Sequence, residues 1–137
     1  MGTVLRSILA VVAGFVVASV VMMAVETVNG RVLHPQLGRI AEGMTDREAI
    51  KSLLASAPIG AFLVVMAGWA IGSLAGGWLA ARVARRAPVG HALVLGALLT
   101  LGGIANNLMV PPPLWFWITS LLVLLPAAYA GGRLGSR

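Results

Sequence analysis

Glu26 is the only charged residue between Arg6 and Arg31, and it closes the apolar run in "VVMMAVETVNG", residues 20–30. A carboxylate inside hydrocarbon is costly, and where one occurs it marks an ion, proton or ligand path by default. Depth decides which reading applies. Counting from Val4 at about 1.5 Å per residue puts Glu26 about 33 Å along a helix, at or beyond the outer edge of a bilayer core. The residue therefore reads first as an interfacial acid, paired with Arg31 or with water. Asn106 and Asn107, in "GGIANNLMV", should stand at a similar height on another helix. If those two helices touch, Glu26 and Asn107 could share a hydrogen bond. Glu26, Asn106 and Asn107 would then form a polar cluster able to hold an ion, a proton or a partner's backbone.

The other reactive types carry less. His34 lies beside Pro35 in a polar loop, and His91 lies near the start of a later apolar run. A helical histidine can ligate haem or a pigment if an apolar slot surrounds it, but an interfacial polar role suits both positions better. No His/Asp/Glu spacing suggests a metal site, and no serine has a base and an orienting acid at hand. Cysteine is absent, which removes disulfides and thiolate chemistry. The expectation is a protein without catalytic residues, cofactor or metal.

Small residues form the stronger pattern. Gly68, Gly72 and Gly76 recur four apart in "GWAIGSLAGG", and Ala10, Gly14 and Ala18 do the same near the N-terminus. Such stripes let a second helix approach backbone to backbone. The contact lies either inside the chain or against another protein, and spacing alone does not choose between them.

These residues need elements to carry them. The 137-residue chain is 59% hydrophobic and 10% charged, against about a quarter charged in soluble domains. Four apolar stretches, 7–25, 52–81, 92–110 and 114–132, reach the roughly 20 residues a helix needs to cross a bilayer. Backbone groups must be satisfied within lipid, so these are expected to be helices, and no alternating pattern suggests a barrel. Arg6 before an apolar run partly fits a signal peptide, but the run exceeds a usual signal core, so the first span is expected to be retained. The sequence predicts an all-α membrane protein. One domain over residues 1–137 would hold four transmembrane helices in a bundle, at about 4–28, 57–84, 89–110 and 113–132.

Local signals refine the outline. "TDREAIKSLLAS" predicts a short amphipathic helix in the first outer loop, with Thr45 and Glu48 as a capping box. Pro58 suits the first turn of the second span, and Pro126 is expected to bend the fourth. Three prolines at 111–113 make a stiff turn, with Trp115 and Trp117 following at the interface and Trp78 at the opposite one. Gly96, Thr100, Gly103 and Asn107 share one small or polar face. "LAGGWLAAR" (74–82) matches "YAGGRLGSR" (129–137), which raises the possibility of an internal duplication.

The net charge of +6 does not point to nucleic acid, because the charges are spread over short loops. It points to orientation. Arg6, Arg82, Arg85, Arg86, Arg133 and Arg137 fall on one side of a four-span arrangement, with "ARVARR" densest. Arg31, Arg39, Arg47 and Lys51 fall on the other, beside Glu26, Glu42, Asp46 and Glu48. Cytoplasmic loops favour Lys and Arg, so both termini are expected to be cytoplasmic. An Arg-rich, Ala/Gly/Val-rich composition suggests a GC-rich bacterial genome, hence the bacterial inner membrane.

An acid ending the first span, "GWAIGSLAGGWLAARVARR", "GGIANNLMVPPPLWFW" and "LLPAAYAGGRL" together resemble uncharacterised small four-helix bacterial inner-membrane proteins. The resemblance covers most of the chain and implies no activity. Small multidrug-resistance transporters fit poorly, since their glutamate is near the middle of the first helix, and small fluoride channels lack matching motifs. Two functions follow as expectations. The first is a non-enzymatic accessory or scaffold subunit that meets other membrane proteins, or itself, through the stripes. The alternative is a small oligomeric transporter or channel with a polar path near Glu26, Asn106 and Asn107.

Overall fold

The computed structural model describes residues 2–137. Among them are six α-helices, one π-helical turn and no strand: α1 (Thr3–Val28), the π turn (Asn29–Leu33), α2 (Pro35–Ala41), α3 (Arg47–Ala55), α4 (Ile59–Ala84), α5 (Pro88–Met109) and α6 (Leu114–Gly135). Four segments are long and apolar enough to cross a membrane: Thr3–Leu33, which joins α1 to the π turn, then α4, α5 and α6.

α4 organises the bundle. It packs closely against α1 on one side and α6 on the other, and it also touches α5 across the middle. α5 packs well on α6 but only loosely on α1, so the α1–α5 seam is the most open of the four. Glycine explains the close pairings. A Cβ added at Gly14 would lie 2.6 Å from the Gly76 carbonyl oxygen, and one at Gly76 would lie 2.5 Å from that of Gly14. Neither backbone could approach so closely with a side chain between them. The α4–α6 pairing repeats the device with Gly77 against Ala128, and with Gly131 against Leu74 and Trp78.

The two copies of the repeated ending do not take equivalent places. Gly76 faces α1, its own hairpin partner, whereas the corresponding Gly131 faces α4. Gly77 faces α6, whereas the corresponding Gly132 faces Ala92 of α5, its own hairpin partner. A two-fold relation between hairpins would preserve these directions, so the sequence echo has no matching symmetry in the packing.

At the arginine end, Arg6 Nε donates to the Val83 carbonyl over 2.7 Å, tying the start of α1 to the last turn of α4. Arg85 and Ala87, at φ 62° and 45°, make the tight reversal into α5. Positive φ is uncommon for residues with a Cβ, and the reversal is completed by Pro88 at the start of the next helix. At the other end, α3 is capped by Asp46, whose carboxylate accepts from the Ala49 N–H at 3.3 Å. The expected Thr45 cap is thus shifted by one residue, because an acid stands at the last non-helical position. α3 is amphipathic but is not among the packed helices. Arg47 Nε donates to the Leu108 carbonyl over 2.8 Å, where α5 runs out of internal donors.

Candidate functional site

α1 and α4 run antiparallel in a fixed register. Gly14 lies opposite Gly76, Ala18 opposite Gly72 and Val25 opposite Gly68. Ala10, Gly14 and Ala18 are the buried residues of α1, so its small stripe faces inward. Both stripes are therefore occupied within the chain. Of the two readings left open, contact inside the chain is the one seen, with each stripe set against the other helix.

This register sets Glu26 beside Trp69, and the indole Nε1–H donates to Glu26 Oε1 over 3.0 Å. Trp69 is 4% exposed and rests edge-on against Phe116, with ring centroids 5.8 Å apart. Gly103 leaves room for it: a Cβ there would stand 3.3 Å from the Trp69 ring. A buried indole needs an acceptor for its one N–H. The only acid of the first span supplies it.

Glu26 is not at the end of the apolar helical segment. The helix continues through the π turn to Leu33, and Asn29 holds it to α4 by donating from Nδ2 to the Ala61 carbonyl over 3.0 Å. The Asn29 Oδ1 faces His34 Nδ1 at 2.7 Å, and with Asn29 donating elsewhere the histidine nitrogen is the donor. From Ala61 to Val83, α4 rises about 33 Å, about the thickness of a bilayer core. Gly68, level with Val25, lies about 10 Å inside the Ala61 end of that length. The expected pairing with Arg31 is also absent. Among the described residues the ion pair is Arg47–Glu48, at 3.5 Å, and Glu26 has no cationic partner.

The asparagines separate. Asn107 is fully buried toward α6, where Nδ2 donates to Ser120 Oγ at 3.4 Å and Oδ1 has no partner. It does not meet Glu26, which corrects the expected hydrogen bond. Asn106, one residue and about 100° away on the helix, lines a groove with Glu26 instead. The Gly96, Gly103 and Asn107 face packs on α6, with Gly96 against Leu125 and Ala128.

The groove is one of two open parts of the α1–α5 seam, with a volume of about 300 Å³; the other, of about 350 Å³, lies at the arginine end between Val11 and Val94. α1 contributes Phe15, Ser19, Met22, Met23 and Glu26, and α5 contributes Leu99, Gly102, Gly103 and Asn106. Trp69 and Leu124 form its floor. From Phe15 to Glu26 it runs about 16 Å along α1. Its walls are apolar except at Ser19 and at the Glu26 end. Below it, the fully buried Leu95 fits between Gly14 and Gly76 and fills the seam at that level. Gly102 keeps the mouth wide, since a Cβ there would meet nothing within 4 Å.

Glu26 also borders a second cavity, of about 540 Å³, beneath α2. That basin is polar, with Arg31, Arg39 and Glu42 on its walls. Glu26 thus stands between a largely apolar groove and a charged basin. His91 lies elsewhere, with Nδ1 beside the Ala87 carbonyl at 3.0 Å, and His34 is engaged with Asn29. Trp69, Asn29 and Ala61 were not singled out by sequence reading. Trp69 had a usable signal: an indole between two stripe glycines needs an acceptor within reach.

No family model, no curated protein and no solved structure matches this chain. The class that the fold defines is an all-helical bundle with four helices long and apolar enough for a multi-pass membrane protein.

Proposed function

We propose that this protein is a non-enzymatic, multi-pass membrane protein that binds an amphiphile laterally from the bilayer. The chain of the amphiphile occupies the α1–α5 groove, and its head group meets Glu26 and Asn106. One observation carries the reading: an apolar groove about 16 Å long, open along the seam, ends at a carboxylate already oriented by Trp69. Less supports an accessory role through the glycine stripes, because they pack on each other within the chain. A through-channel is disfavoured by Leu95, which blocks the seam below the groove.

We further place it in the bacterial inner membrane with both termini cytoplasmic. Six arginines and no acid occupy the arginine end, while four cations and four acids balance at the other. The groove then opens toward the outer leaflet. A neutral alkyl amphiphile bearing a diazirine, in phosphatidylcholine nanodiscs, tests the binding site. Photo-cross-links are expected on Met22, Met23 and Leu99, and to be lost in Gly102→Leu. Equal labelling of all lipid-exposed helix faces would end the proposal.

A further inference from the structure

Resting on that reading of the groove, we infer that its ligand is a hydrophobic cation: a single chain carrying an amine or quaternary ammonium directly at its head. Glu26 is the residue that selects it. Its carboxylate has one hydrogen bond, from Trp69, and no cationic partner among the described residues. A carboxylate at the edge of an apolar site is favoured when an opposite charge compensates it. On the groove side the protein supplies none, since Arg31 and Arg39 lie in the basin beyond the carboxylate, so there the ligand does.

Geometry separates the ligand classes. An amine attached straight to the chain puts its positive charge where the groove ends, at Glu26. A phospholipid with a chain in the groove puts its phosphate there, and two negative charges meet. Arg31 and Arg39 line the basin beyond Glu26, not the groove, so an anionic head must pass the carboxylate to reach them. A neutral head gains only hydrogen bonds, from or to Asn106 and Glu26. Trp69 acts as a positioning residue: its N–H fixes one carboxylate oxygen and leaves the other for the ligand.

The test is displacement of the neutral diazirine probe by three dodecyl compounds, each below its micellar concentration. Dodecyltrimethylammonium is expected to displace at about tenfold lower concentration than dodecyl maltoside, with dodecyl sulfate weakest. Glu26→Gln keeps an acceptor for Trp69 but removes the charge, and is expected to bring cation and neutral compound within about twofold. Asn106→Asp adds an acid to the same rim and is expected to widen the preference. It gives an independent answer if Glu26→Gln fails to accumulate. Equal displacement by all three compounds, with the probe still labelling the groove, overturns the cation preference and leaves the amphiphile reading standing. A preference for the cation that both variants leave unchanged also overturns it. Failure of the probe to label the groove at all sinks the amphiphile reading itself.

Discussion

The indole N–H of Trp69, from the interior of α4, is bonded to the carboxylate of Glu26 on α1 over 3.0 Å. That bond turns an acid at the edge of an apolar groove into a fixed feature of it. Trp69→Phe keeps most of the ring packing against Phe116 and removes the donor. The expected loss of stability is about 1 kcal/mol, below the roughly 1.5–3 kcal/mol usual for a bond to a charged group because Glu26 is exposed. Thermal unfolding in a mild detergent measures it. A loss no larger than that from a substitution on the lipid-exposed surface would mean that the bond does not hold the site.

Gly76 and Gly102 are expected to respond in opposite ways to the same substitution. Gly76→Leu drives a side chain into the Gly14 carbonyl and the Leu95 side chain, and is expected to cost at least about 1–3 kcal/mol and to reduce accumulation of the folded chain. Gly102→Leu enters open space and relieves a helical glycine worth about 1 kcal/mol, so it is expected to fold as well as the parent while narrowing the groove. Monodispersity and melting temperature of the two purified variants decide this. A well-folded Gly76→Leu would mean that the α1–α4 stripe contact is not a determinant of the fold.

Asn29 fastens the π turn to α4 through Ala61 and holds His34 at 2.7 Å. Asn29→Ala is expected to loosen the turn without unfolding the bundle. Losing two hydrogen bonds at about 1 kcal/mol each speeds local opening by tenfold or more. Hydrogen exchange of residues 29–34 should rise by that factor while α5 and α6 stay unchanged. Uniform acceleration across the chain would show that Asn29 supports the whole fold.

Orientation is open to labelling, because the chain has no cysteine of its own. In the proposed topology, Glu42→Cys reacts with an impermeant maleimide on intact cells, and Arg86→Cys reacts only after the membrane is opened. The reverse pattern would invert the topology and turn the groove toward the inner leaflet.

The helical elements were legible because spanning about 30 Å of hydrocarbon requires long apolar runs. Small-residue stripes were equally plain, since they recur at helical spacing. Their partner was not, because Gly72 looks the same whether Ala18 or a foreign helix lies opposite. Asn29-Gly30 reads as a helix end in the sequence. In fact the Asn29 side chain bonds Ala61 and the backbone continues as a π turn. Asn106 and Asn107 had the same type and height, and only the helix packed on each face sends one to the groove and one to Ser120. The second glycine contact, Gly77 with Ala128 and Gly131 with Leu74, lay inside the noted echo, but repetition does not reveal that two copies touch.

Methionine methyl groups offer the most direct test that the groove is the binding site. Met22 and Met23 line it, and neither Met66 nor Met109 does. With carbon-13 methyl-labelled methionine in phosphatidylcholine nanodiscs, dodecyltrimethylammonium is titrated into the parent protein and into Gly102→Leu. The expected result is saturable shifts of the Met22 and Met23 methyls in the parent, with Met66 and Met109 nearly still, and loss of those shifts in Gly102→Leu. Unsaturable shifts of similar size at all the methionines, or shifts at Met22 and Met23 that Gly102→Leu leaves intact, would contradict binding in the groove.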